Sequence, residues 1–204
     1  MIPTEILSAE HRVILRVLSC LEAIVAEATA HGKLSAEPAT SAIAFFRGFA
    51  DQWHHAKEEK HLFSLMEQRG IPRSSGPIGV MLNEHDLGRA QVRGMDAAVE
   101  SAAQGQPESL RAFVGHARLY IELLRAHIQK EDGILYPMAN QVFSDQDQHD
   151  LSDAFHRAGH DEMGDGIHES FHAIADQLGT RYGIAPVLAG EDEACDACAH
   201  RCDG

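Results

Sequence analysis

Apolar residues return every three or four positions through four long stretches of this chain, the period of a helix with one buried face. The first stretch, residues 4 to 30, places Leu7, Ile14, Leu18, Leu21, Val25 and Ala28 on that face and stops at Gly32. The second, from about Glu37 to Arg69, has Pro38 in its first turn and Gly70 at its end; its inward series includes Ile43, Phe46, Ala50, Leu62 and Leu65. The third, Pro77 to Ala103, shows Ile78, Met81, Val92, Met95 and Val99. The fourth opens at Pro107 and shows Phe113, Ala117, Tyr120, Leu124, Ile134 and Met138. Short connections between such helices predict an all-α, up-down-up-down four-helix bundle over residues 1–143. The longest loop, Gly70 to Gly79, is rich in Gly, Pro and Ser. Ser144 to Arg181 reads as one or two further helices broken around Gly159 to Gly166, so residues 144–183 are expected to pack on the bundle. Residues 184–204 read as an acidic, Cys-rich, flexible tail.

The apolar faces are interrupted by polar residues, and the interruptions repeat. Glu10-His11 is followed by His54-x-x-x-Glu58; Glu84-His85 is followed by His127-x-x-x-Glu131. The distance from His11 to His54 is 43 residues, and that from His85 to His127 is 42. A polar group facing a bundle core costs several kcal/mol unless satisfied, and six of them would exceed the stability of an ordinary domain. A shared metal centre satisfies them together. His and Glu four apart on a helix lie one above the other and reach the same cation or an adjacent pair. His55 and Glu59 offer a second His-x-x-x-Glu register, but four and eight residues before His55 lie Asp51 and Arg47, whereas Ala50 and Phe46 precede His54. At an α-helical period, His54 and Glu58 face inward, and His55 and Glu59 are expected to be solvent-facing or to support the ligands from behind.

Composition adds three constraints. A net charge of −14, from 17 basic and 31 acidic residues, repels phosphate backbones and anionic lipids, so no nucleic-acid or membrane partner is expected. Fourteen histidines are many for 204 residues, and imidazole is the commonest transition-metal ligand. The N-terminus has no basic segment followed by an apolar one, and no apolar run approaches about 20 residues, so a cytoplasmic location is expected. Cys20 lies in the first helix and the other three cysteines crowd the last ten residues, which is not a disulfide framework.

Mixed imidazole and carboxylate donors favour iron or manganese over thiolate-loving metals. Two carboxylates offset part of the +4 charge of two divalent ions and can bridge them. The segments EHRVI, HHAKEEKHLF, GPIGVMLNEH and HIQKEDGILYP resemble the hemerythrin-like, or HHE cation-binding, family over roughly residues 5 to 143. That resemblance implies an oxo- or hydroxo-bridged di-iron site in the bundle core, with His11, His54, Glu58, His85, His127 and Glu131 as ligands. It implies a small-molecule ligand: dioxygen, nitric oxide or peroxide. The alternative is iron storage, iron donation or repair of iron clusters. Oxygen-carrying members place a further histidine one turn after the third-helix ligand, where this chain has Arg89, which stays protonated and cannot bind metal. A six-ligand site leaves a further open position, and weight moves from oxygen carriage to sensing or turnover. If the chain is an enzyme, it is a di-iron oxidoreductase acting on peroxide or nitric oxide.

Other histidines have ordinary readings beside the chemical ones. His61 is read as a helix-surface residue. Tyr120 and Tyr136 flank the fourth-helix ligands and either pack in the core or donate into the site. Arg89 is expected to pair with a ligand carboxylate or with neighbouring acids. His156 and His160 are a possible chelating pair, more often a packed or exposed face. His168-Glu169-Ser170-Phe171-His172 matches the short HExxH pattern of zinc proteases, without an evident third ligand. Cys195, Cys198, His200 and Cys202 could hold a zinc or iron ion, or belong to a disordered tail.

Overall fold

The computed structural model describes residues 2–163 and 166–186, which are helical throughout apart from short connections, with no strand among them. Helix α1 spans Pro3–His31, opened by the Ile2 amide donating to Glu5 and closed by Gly32 at φ 67°. The left-handed backbone there suits glycine. The second long helix is continuous but not uniform. It begins as α2 (Ala36–Phe45), widens into π-helix at Phe46–His55 and again at Glu58–Leu62, and ends as α3 (Phe63–Gln68). After the Gly70 turn, α4 runs Gly76–Ala103 with proline in its first turn. Helix α5 (Pro107–Lys130) passes through a π segment, Glu131–Leu135, into α6 (Tyr136–Val142).

These four long rods pack around a common core, α1 against α2 and α5, and α4 against α2 and α5. Phe45, Phe46, Phe49 and Phe113 fill one end of it with Ile14, Leu18, Leu21 and Ile24. Leu7, Leu62, Phe63, Met66, Ile78 and Leu135 fill the other. The polar cluster lies between these two apolar plugs.

One expected core residue is displaced. Ile134 is 56% exposed, and Leu135 is buried in its place. The π segment beginning at Glu131 adds a residue to the turn and advances the buried face by one position, which an α-helical count does not anticipate.

Beyond the four rods, α7 (Asp145–Met163) lies against α1 and the π segment Glu58–Leu62, and α8 (Ile167–Tyr182) lies against α1, α2 and the π segment Phe46–His55. Arg69 pairs with both oxygens of Asp147, whose carboxylate also accepts from the Ser144 amide; this pins the start of α7. Helix α8 docks into a notch at Gly48, where a Cβ would come within 2.0 Å of the Phe171 ring. Gly48→Val is therefore expected to destabilise the protein by about 1–3 kcal/mol through overpacking. Thermal unfolding measures the loss, and Phe171→Ala in the same chain restores most of it if the clash is its cause. No helix among the described residues is long and apolar enough to cross a membrane.

Candidate metal centre

The structure brings all six of the sequence-predicted residues together. His11 comes from α1, His54 and Glu58 from the second helix, His85 from α4, His127 from the end of α5 and Glu131 from the start of the π segment that follows; each is 1% exposed or less. His127 Nε2 lies 3.0 Å from Glu131 Oε1, and His11 Nε2 lies 3.2 Å from Glu131 Oε2. His85 Nε2 and His54 Nε2 lie 3.5 and 3.7 Å from Glu58 Oε2. Two sets of donor atoms each converge within 4.8 Å: His11, His54, Glu58 and Glu131 form one, and His55, Glu58, His85 and His127 the other. Glu58 belongs to both.

His55 is the member that a helical count missed. It is not solvent-facing: it is 5% exposed and stacks on His85 with ring centroids 3.8 Å apart. The period argument fails because Phe46–His55 is π-helix, whose wider turn presents two successive side chains to the same side. Glu59, by contrast, supports a ligand from behind, accepting from His85 Nδ1 at 2.7 Å.

The residues that hold these imidazoles are duplicated too. The carboxylate of Glu10, one residue before His11, accepts from His54 Nδ1 at 2.9 Å; Glu84, one residue before His85, accepts from His127 Nδ1 at 2.9 Å. Lys57 pairs with Glu10 and Lys130 with Glu84. Asp132, one residue after Glu131, lies 3.0 Å from His11 Nδ1, as Glu59 does for His85. Each half of the repeat therefore orients a histidine of the other half. An anchored Nδ1–H leaves Nε2 as the free donor and sets the tautomer. The signal was present in the sequence as E-H and H-x-x-K-E-[D/E], but only the fold shows which acid meets which imidazole.

Burial and partners set the protonation of the cluster. Burial lowers His54, to about 4, against the pull of Glu10, while burial and the neighbouring His85 lower His55 well below the usual imidazole range. Burial also pulls His11 down, but its bonds to Asp132 and Glu131 raise it to about 9. Burial and the Glu131 charge push Glu58 well above the ordinary carboxyl value. Burial opposes ionisation of Glu131 as well, but the His127 and His11 partners hold it well below. Glu10 is opposed by burial and brought to about 2 by His54 and Lys57.

Among the buried polar atoms, His54 Nε2 and Glu58 Oε2 make no hydrogen bond, and the two oxygens of Glu131 make none beyond their ion-pair contacts with His127 and His11. Unpaired carboxylate oxygens at this depth cost several kcal/mol each unless a cation takes them. Such a set fits one or two metal ions. On the far side of the cluster, the Tyr136 hydroxyl donates to Glu58 Oε1 at 2.6 Å, and its ring stacks on His11. Tyr120 instead packs edge-on against Phe46 and lines a cavity.

That cavity has a volume of about 230 Å³, many times the roughly 15 Å³ one water needs. Its inner end is formed by His55, His85 and His127, its walls by Phe46, Val92, Tyr120 and Leu124. Arg89 stands at its side, where its guanidinium meets Asp51, Glu59 and Asp86 and makes no bond to a ligand carboxylate.

The remaining histidines lie elsewhere. His61 is half-buried and meets the Phe155 ring edge-on. His168 packs on Trp53, and His172 on Phe49; among the described residues they join no three-ligand group. His156 is exposed, and the side chain of His160 is outside the described residues, as are Cys195, Cys198, His200 and Cys202.

Buried His and Glu clusters between helices define a metal-binding helical protein, and residues 2–139 match the family model of the hemerythrin HHE cation binding domain. The chain belongs to that family. It is 23% identical over 174 residues to proteins of Mycobacterium bovis and Mycobacterium tuberculosis that carry only the description "uncharacterized protein". The match covers 85% of this chain and 66% of each relative, so the chain spans just under two thirds of their length. No solved structure matches it.

Proposed function

We propose that the chain is a non-haem di-iron protein, an up-down-up-down four-helix bundle that binds oxygen, nitric oxide or peroxide between its helices. The observation that carries this reading is the pair of convergent donor sets sharing Glu58, with buried carboxylate oxygens that make no hydrogen bond at their centre. His11, His54, Glu58, His85, His127 and Glu131 would hold the ions, with Glu58 common to the two donor sets. Two iron ions in this place would supply up to two electrons and an exchangeable position for a small ligand.

The chain's own residues do the rest. Glu10, Glu84, Glu59 and Asp132 fix the imidazoles so that they need little reorganisation. Tyr136 holds the outer oxygen of Glu58 with its proton. The cavity walls are largely apolar, with Arg47, Asp51, Arg89 and Arg93 also lining it, and leave room for a small molecule beside His55, His85 and His127. Ligands this deeply buried favour retained over labile metal, which argues for ligand chemistry before iron storage or donation.

Elemental analysis of the purified protein is expected to find two irons per chain, with near-ultraviolet absorption of an oxo-bridged ferric pair. One ion or none per chain overturns the reading. Peroxide decay followed with and without metal separates turnover from binding. Glu10→Gln and Glu84→Gln, which keep the shape but lose the charge behind His54 and His127, are each expected to weaken metal affinity about 10–100-fold; competition with a chelator measures it.

A further inference from the structure

The two halves of the repeat share Glu-His at 10–11 and 84–85, and His, Lys and Glu at 54, 57 and 58 and at 127, 130 and 131, each followed by an acid, Glu59 or Asp132. His127 is followed by Ile128, a buried apolar side chain; His54 is followed by His55. A hydrocarbon satisfies that position, so an imidazole there needs a reason. His55 Nδ1 makes no hydrogen bond, and the nearest carboxylate oxygen, Asp51 Oδ1, is 3.6 Å away. The four other imidazoles of the cluster each have Nδ1 tied to a carboxylate. His55 has no such anchor, yet it is buried and faces the others: 3.8 Å from the His85 ring, 5.6 Å from His54 and 5.7 Å from His127. One of its nitrogens lies within 4.8 Å of donor atoms of Glu58, His85 and His127.

We propose that His55 is a seventh metal ligand, an inference that rests on the dinuclear reading. One ion then has three imidazoles, from His55, His85 and His127, with Glu58; the other has two, from His11 and His54, with Glu58 and Glu131. The imidazole missing from α4, where Arg89 stands, is supplied from the second helix by the π turn that brings His54 and His55 to one side. The two ions are chemically unlike, and only the three-imidazole ion faces the cavity, because His11, His54 and Glu131 do not line it. An incoming ligand meets that ion first.

The test titrates the metal-free full chain anaerobically with ferrous ion, and separately with Co²⁺ as a spectroscopic probe. Wild-type protein is compared with His55→Ala and with His55→Leu, which fills the position as Ile128 does. In both variants, one ion is expected to bind within threefold of wild type. The other weakens by roughly 100-fold or more, beyond what loss of an outer support costs. The Co²⁺ visible bands change, and millimolar free imidazole restores the second ion in His55→Ala but not in His55→Leu. Two ions bound with wild-type affinities and unchanged bands in the folded variants overturn the assignment. A wild-type chain that binds fewer than two ions fails the dinuclear reading itself, a result seen before any variant is examined. Circular dichroism establishes which variant is folded, and either one suffices for the affinity comparison.

Discussion

Exchanging both Glu58 and Glu131 for Ala is expected to abolish two-metal loading. These are the two carboxylates at the middle of the cluster, each fully buried, and both would face the bound ions as carboxylates from among the imidazoles. Without them, two divalent ions would sit about as close as their ligands allow with nothing to screen their repulsion, which at short range and reduced dielectric is many kcal/mol. The single variants are expected to differ. Glu58 contributes to both donor sets and Glu131 is grouped with one, so Glu58→Ala removes more metal than Glu131→Ala. The folded state itself changes little, because two effects oppose. The Tyr136 hydroxyl loses its acceptor and His11 and His127 lose their Glu131 contacts, the first alone a cost of about 1–3 kcal/mol, while removal of two buried carboxyl groups relieves their burial penalty. Metal per chain, measured alongside the helical dichroism, reads the result. Two ions retained by the folded double variant would mean that the donor sets are not the metal site.

Stripping the metal is expected to have the second-largest effect, on stability. The ions bind the assembled cluster and have no comparable site in the unfolded chain, so they stabilise by mass action. At a free metal concentration 1,000 times the dissociation constant, this amounts to about 4.1 kcal/mol. For a domain of this size, each kcal/mol moves the melting temperature by about 2–4 °C, so removal lowers it by roughly 8–16 °C. The metal-free protein keeps its two apolar plugs, and the helices are expected to persist at low temperature. Scanning calorimetry before and after chelation, then after iron is restored, gives the shift and its reversal. A melting curve indifferent to metal would remove the energetic basis for placing ions here. The Glu58/Glu131 double variant serves as the control, because its melting should not respond to added iron.

Much of the fold was legible in the chain because its determinants are local. The boundaries at Gly32, Pro77 and Pro107 follow, to within a residue, from backbone preferences of single residues, and the buried faces of α1 and α4 follow from an unbroken α-helical period. The six polar residues that the structure gathers were visible because they interrupt those faces twice in the same order. Where the period broke, the reading broke with it. A count that assumes α-helix puts His55 in solvent or behind the ligands and Ile134 inward, and both lie in segments whose turns take in an extra residue. No residue type announces a π turn, since the wider turn is favoured by what its side chains meet on other helices.

The order of polar and apolar positions by itself determined that this chain makes long amphipathic helices and carries the donors of a metal centre, because periodicity and ligand chemistry are properties of neighbouring residues. Only the tertiary structure decided that Glu10 supports His54 and Glu84 supports His127, that Tyr136 donates to Glu58 while Tyr120 walls a cavity, and that His55 joins the cluster. Those pairings depend on how four helices are rotated against one another, which is set by packing summed over the whole core and is written in no single stretch of it.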